Sequence, residues 1–160
     1  MKQMLTLLLL LALCVTSSFA MAIEPVDPAA TFDWMDHTLA VQSIRMNPDH
    51  IVDNPLPEEQ NYVLLRIACL DGALAVGDLF LNLESICLED LDEVLYNVCA
   101  IMPYSMTYSE RNGVFATAME QTQFDLFFVL PVAVQVEDLA LYAGESELFF
   151  SDLDLEALVQ

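Results

Sequence analysis

The chain has 160 residues, 56% of them hydrophobic, and carries 25 acidic side chains against 4 basic ones, for a formal net charge of −21. This length suits one domain better than two, and the apolar content is too high for an acidic disordered chain. The shortage of Lys and Arg excludes nucleic acid as a partner, because phosphates are neutralised by basic side chains, and it argues equally against an anionic membrane surface.

Residues 1–22 read as a signal peptide. Met1-Lys2-Gln3 is a short start with one positive charge, and residues 4–15 are an apolar run broken by Thr6. Thr16-Ser17-Ser18 then leads into Phe19-Ala20-Met21-Ala22, which places small residues at an A-x-A cleavage site. Cleavage is expected after Ala22, with Ala20 as the second position. The alternative is an uncleaved anchor, since no charge occurs from Gln3 to Ile23. Cys14 lies in the run, but Leu13 stands where a lipoprotein signal needs a small residue. Losing 22 residues, Lys2 among them, leaves 138 residues whose basic side chains are Arg45, Arg66 and Arg111, and moves the charge to −22. The expected location is secreted or in the cell envelope.

Residues 23–33, with Pro25, Asp27, Pro28 and Asp33, read as an exposed lead-in. Residues 38–46 read as a strand in which Leu39 and Val41 share a face, while Ile44 and Met46 have the opposite parity. A bulge near Gln42-Ser43 would return them to one side. Residues 47–61 form a loop punctuated by Pro48, Pro55 and Pro57. Residues 62–70 are the clearest strand: Val63, Leu65, Ile67 and Cys69 alternate with Leu64, Arg66 and Ala68. The parity containing Arg66 is expected to face solvent, with Cys69 pointing inward. Asp71-Gly72 marks a turn.

Residues 79–88 hold a strand ending in Ile86-Cys87-Leu88, followed by a turn over 89–92 and a short strand at Val94-Leu95-Tyr96. Asn112-Gly113 is a hairpin corner. Residues 122–130 are a second clear strand, with Phe124, Leu126, Phe128 and Leu130 on one face and Asp125, Phe127 and Val129 on the other, ended by Pro131. Residues 138–142 are expected to be the last core strand, with Leu139 and Leu141 inward. Residues 146–160 read as an acidic tail, in which 148–158 could form a short helix with carboxylates on all faces. Without any long 3.6-residue periodicity, short strands between Pro, Gly and Asp turns predict an all-β sandwich of about seven strands over residues 34–145.

The order of features resembles the telokin-like, immunoglobulin-fold secreted bacterial domains of the DUF4352 type. The resemblance rests on the strand Asn61-Tyr62-Val63-Leu64-Leu65-Arg66-Ile67-Ala68-Cys69-Leu70, on the spacing of Ile86, Leu88, Asp90 and Tyr96, and on Phe127-Phe128-Val129-Leu130-Pro131 followed by Leu139-Ala140-Leu141-Tyr142. It covers roughly residues 34–145. Two of the family's glycines are missing, with Asp92-Glu93 and Glu120-Gln121-Thr122 in their regions. The resemblance implies an immunoglobulin-like sandwich, secreted or surface-exposed, with no catalytic residues to carry over.

The chemistry available is narrow. His37 and His50 are the only histidines. His37 has Asp33, Trp34 and Asp36 close by in the chain and reads as a surface residue. No Gly-rich phosphate loop and no G-x-S-x-G occurs. An enzyme would have to work with carboxylates alone, as a glycosidase pair does. Calcium suits the charge better, since it takes six to eight oxygen ligands. Two candidate sites are Glu89, Asp90, Asp92 and Glu93 in a turn, and Asp152, Asp154 and Glu156, which a strand would present on one face. No other cofactor is expected.

After export Cys69, Cys87 and Cys99 remain, an odd number that allows one internal disulfide in any of three pairings, or buried free thiols. Trp34, Phe127, Tyr104, Tyr108 and Phe149-Phe150 could form an exposed aromatic patch or pack within the fold. The leading expectation is a non-catalytic binding module for an unknown protein or cell-surface ligand. The alternatives are a calcium-dependent or carboxylate-based secreted hydrolase and a structural acidic envelope protein.

Overall fold

The computed structural model describes residues 23–47, 56–103 and 120–160. The predicted signal segment, His50, Tyr104, Tyr108 and the Asn112-Gly113 corner lie outside them. The fold is mostly antiparallel β structure, as the strand patterning predicts. Among the described residues no helix is long and apolar enough to cross a membrane.

One sheet has five strands in the order β1 (Thr31–Trp34), β2 (His37–Met46), β3 (Gln60–Cys69), β9 (Gln123–Pro131) and β7 (Ala100–Pro103). A second has four, in the order β11 (Ser146–Phe149), β10 (Ala140–Ala143), β5 (Ile86–Glu89) and β6 (Leu95–Asn97). A short pair joins β4 (Leu74–Ala75) to β8 (Glu120–Gln121). Among the described residues there are two short helices, α1 (Val76–Leu81) and α2 (Leu155–Leu158). The strand expected within 79–88 is β5. The residues before it form α1 and a 3-10 turn over Leu83–Ser85; α1 buries Val76 and Leu79 at helical spacing, but its 6 residues are too short a run to read a period from the sequence.

The two sheets share one buried core. Leu39, Val41, Ile44, Val63, Leu65, Ile67, Phe124, Leu126 and Phe128 come from the large sheet, and Ile86, Leu88, Leu141 and Leu148 from the smaller one. The register of β2 against β3 shifts between Val41 and Ser43. This is the bulge expected at Gln42-Ser43, and it returns Ile44 to the core side because one extra residue reverses the two-residue alternation.

Four expectations are corrected. The lead-in is not simply exposed: Asp27 caps a 3-10 turn at Pro28–Ala30, and Ala30 and Phe32 are buried. The fold does not stop at residue 145, because β11 pairs with β10 and residues 146–160 are no loose tail. Leu148, Phe150, Leu153 and Leu158 join the core, and Val159 bridges Ile44 beyond the end of β1.

The strand expected at 138–142 starts at Ala140, after a 3-10 turn over Val136–Asp138. Lastly, the parity of Arg66 does not face open solvent. Leu64, Ala68 and Phe127 share that side of the sheet and are at most 2% exposed. Among them Arg66 Nε and Nη2 donate to the two Asp125 carboxylate oxygens at 2.8 and 3.0 Å. A guanidinium tolerates this setting because a carboxylate on the neighbouring strand neutralises it in fork geometry.

Candidate functional site

Two hairpin tips, one from each sheet, meet at an open cleft of about 550 Å³. The first tip is Met35-Asp36, between the paired residues Trp34 and His37 of β1 and β2. Both turn residues have positive φ, 55° and 62°, as a two-residue type I′ hairpin requires. Met and Asp take up this left-handed backbone in place of the usual Asn-Gly. The second tip is Gly144-Glu145, between Ala143 and Ser146, where Gly144 has φ 61°.

Hydrogen bonds latch the tips together. Asp33 N–H donates to Ser146 Oγ at 3.2 Å. Trp34 Nε1 donates to Ser85 Oγ at 2.8 Å, and Gly144 N–H to the Ser85 carbonyl at 2.8 Å. Asp33, Asp36 and Glu145 stand exposed around the cleft, with Thr38 Oγ1 donating to Asp33 Oδ1. Trp34, the only tryptophan of the sequence, lines the cleft while 3% exposed and stacks obliquely on Phe124.

At the edge of this cleft His37 meets Asp71, with 2.9 Å between Nδ1 and Oδ1. Thr38 N–H donates to the other carboxylate oxygen at 3.0 Å, and the Cys69 thiol donates to Oδ1 at 3.4 Å. The Thr38 amide first, and then His37, pull the Asp71 carboxyl down to about 2. Burial, followed by the hydrogen bond to Asp71, pushes the Cys69 thiol up, which is the wrong direction for a thiolate nucleophile. Proximity along the chain suggested Asp33, Trp34 and Asp36 as partners of His37. The actual partner is Asp71, brought in by the β2–β3 register.

The first calcium candidate is a turn held by its own carboxylate. Asp90 Oδ1 accepts the Asp92 and Val94 amides at 2.9 and 3.0 Å, and Oδ2 accepts the Tyr96 hydroxyl at 2.5 Å. Hydrogen bonding, led by Tyr96, lowers the Asp90 carboxyl, while burial and that bond push Tyr96 up to about 12. Glu89, Asp90 and Glu93 do border a shallow depression with Glu137 and Asp138; Asp92 is exposed.

The second calcium candidate lies on no strand. Asp152 ends a 3-10 turn, Asp154 caps α2 by accepting the Ala157 amide, and Glu156 lies within α2. The shared face expected of alternating residues does not form, because Phe150 and Leu158 fold into the core and the chain between them coils. Asp71 and Asp90 are both shifted downward, opposite to the raised pKa of a general acid.

Cys69, Cys87 and Cys99 are free thiols, buried, half-buried and exposed respectively. Among the described aromatic candidates no surface patch forms: Trp34, Phe127 and Phe150 are buried, and Phe149 is exposed. The Arg66–Asp125 pair had a signal in the sequence, one charge of each sign in the middle of the two most apolar strands. No family model matches the chain, and no curated protein or solved structure matches it.

Proposed function

We propose that this chain is an exported, non-catalytic binding module built on an immunoglobulin-like β-sandwich, and that it receives a cationic ligand in the cleft between the hairpin tips. The observation that carries this reading is the convergence of the tips. Turns from two different sheets are latched so that Asp33, Asp36 and Glu145 surround one concavity beside Trp34. Antiparallel sheets around a shared core, with turns gathered at one end, support the sandwich. The signal-like first 22 residues and the lack of lysine after them support export and an acidic role outside the cytoplasm. The ligand chemistry follows from the charge: a Lys- or Arg-rich segment of an envelope or extracellular protein pairs with the rim carboxylates.

The test is a titration of the full chain with a lysine-rich peptide, followed by the fluorescence of Trp34. A saturable change is expected, weakened by salt and by the double substitution Asp36→Asn with Glu145→Gln. An identical response from the double variant would place binding elsewhere on the acidic surface and refute the cleft. Export is checked separately by the intact mass of protein recovered outside the cytoplasm, which should correspond to residues 23–160; a mass that begins at Met1 overturns the processing step.

A further inference from the structure

We propose that His37, Cys69 and Asp71 form a site for one borderline-soft divalent cation of the zinc type, bound by the imidazole Nδ1, the thiolate and a carboxylate oxygen. Leu39 of β2 faces Cys69 of β3, and Leu70 N–H donates to the Thr38 carbonyl at 2.9 Å. One rung further along the same face, His37 lies across from Asp71. Leu39, Val41, Ile67 and Cys69 all belong to the core side, so the apolar face of this strand pair ends in a histidine, a cysteine and an aspartate. Their ligand atoms all lie within 4.8 Å of one another.

The donor set selects the metal class. Nitrogen, sulfur and one carboxylate oxygen suit zinc and its neighbours, whereas calcium and magnesium take oxygen alone. The spacing fits as well. Tetrahedral zinc bonds of 2.0–2.3 Å put neighbouring ligand atoms about 3.3–3.6 Å apart. The structure has 2.9 Å from Nδ1 to Oδ1 and 3.4 Å from Sγ to Oδ1, with all three atoms within 4.8 Å of one another, so the two distances to the carboxylate are already close to those required. Hydrogens now fill the space between these atoms. On binding, the thiol releases its proton and His37 carries its remaining proton on Nε2.

The scaffold is already in place. Thr38 N–H fixes the second oxygen of Asp71, and Cys69 N–H is held by the Thr122 carbonyl at 2.8 Å. The side chains of His37 and Asp71 are 31% and 46% exposed, which gives the ion a path in and leaves its fourth position to water.

The experiment uses the full chain under reducing conditions with zinc alone, competed against a chromophoric chelator, and with cobalt as the spectroscopic substitute. One equivalent should bind, and cobalt should show a thiolate charge-transfer band. His37→Ala and Asp71→Asn should each weaken zinc by about tenfold or more, while Cys87→Ser and Cys99→Ser change nothing. Cys69→Ser should abolish the band. If that variant fails to fold, a Cys14→Ser, Cys87→Ser, Cys99→Ser chain, with Cys69 its one thiol, decides the matter: a band assigns the ligand, and no band overturns the site. Zinc binding unaffected by His37→Ala and Asp71→Asn also overturns it, because the ion then sits on other carboxylates.

Discussion

Replacing Asp125 with Leu probes the most exacting interaction in the large sheet. Asp125 and Arg66 are bound at two points, and their side chains are 9% and 20% exposed. At an effective dielectric of 20, charges about 4 Å apart attract by roughly 4 kcal/mol, an attraction set against the desolvation of both groups. Asp125→Leu leaves the guanidinium without this carboxylate between Leu64, Ala68 and Phe127. Removing one partner of a buried pair costs about 3–5 kcal/mol, and the partial exposure of Arg66 places the expectation near 3 kcal/mol. For a domain of this size that lowers Tm by roughly 6–12 °C.

The double substitution Arg66→Met with Asp125→Leu should recover most of the loss, because no charge is then left in an apolar setting. The assay is urea unfolding of the wild type, both single variants and the double, followed by Trp34 fluorescence, with the slope checked for constancy. An Asp125→Leu loss under about 1 kcal/mol, or a double variant no more stable than the single, would show that the pair does not hold the sheet in this way.

Phe150→Ala should cost about 3–5 kcal/mol in the same assay, since its ring is fully buried; a loss below 1 kcal/mol would return residues 146–160 to the status of a tail. Met35→Asn with Asp36→Gly should stabilise the β1–β2 hairpin by about 1–2 kcal/mol, because both positions have positive φ, and should weaken binding of the lysine-rich peptide. No gain in Tm would show that the turn carries no strain. Gly144→Ala should cost about 1–2 kcal/mol from backbone conformation alone, because the added Cβ would sit 3.9 Å from the Trp34 ring, an ordinary contact.

Asp71 yields a pH prediction. Its carboxyl is lowered from 3.8 to about 2 in the fold, so it stabilises the native state above its unfolded pKa and loses that effect as pH falls through about 2. Asp71→Asn should therefore be less stable than wild type at neutral pH, with the gap closing between about pH 4 and 2. A gap independent of pH over that range, measured by urea unfolding at each pH, would show that the charge is not what matters.

Much of the fold is legible in the chain. Alternation over 62–70 and 122–130 marks β3 and β9, and the parity break after Val41 locates the bulge, because a strand has only two faces and a parity error exposes core residues. Elements whose form depends on distant partners are not legible. Residues 146–160 look like a tail because their carboxylates are spread along the chain, yet Phe150 and Leu158 enter the core, and the chain between them coils to allow it. Arg66 looks solvent-facing until Asp125 is placed opposite it, 59 residues away.

The same division separates the candidate sites. Turn residues in the sequence pointed to Glu89–Glu93, where local hydrogen bonds use up Asp90. The cleft and the His37–Cys69–Asp71 group depend on strand register and on two hairpins meeting, and neither is encoded in local spacing. By itself the sequence determined an acidic, mostly β chain with few basic groups, because composition and two-residue periodicity are local properties. Only the tertiary structure decided which charges are paired, which turns converge and which cysteine lies beside a histidine, because strand pairing joins residues that chain distance keeps apart.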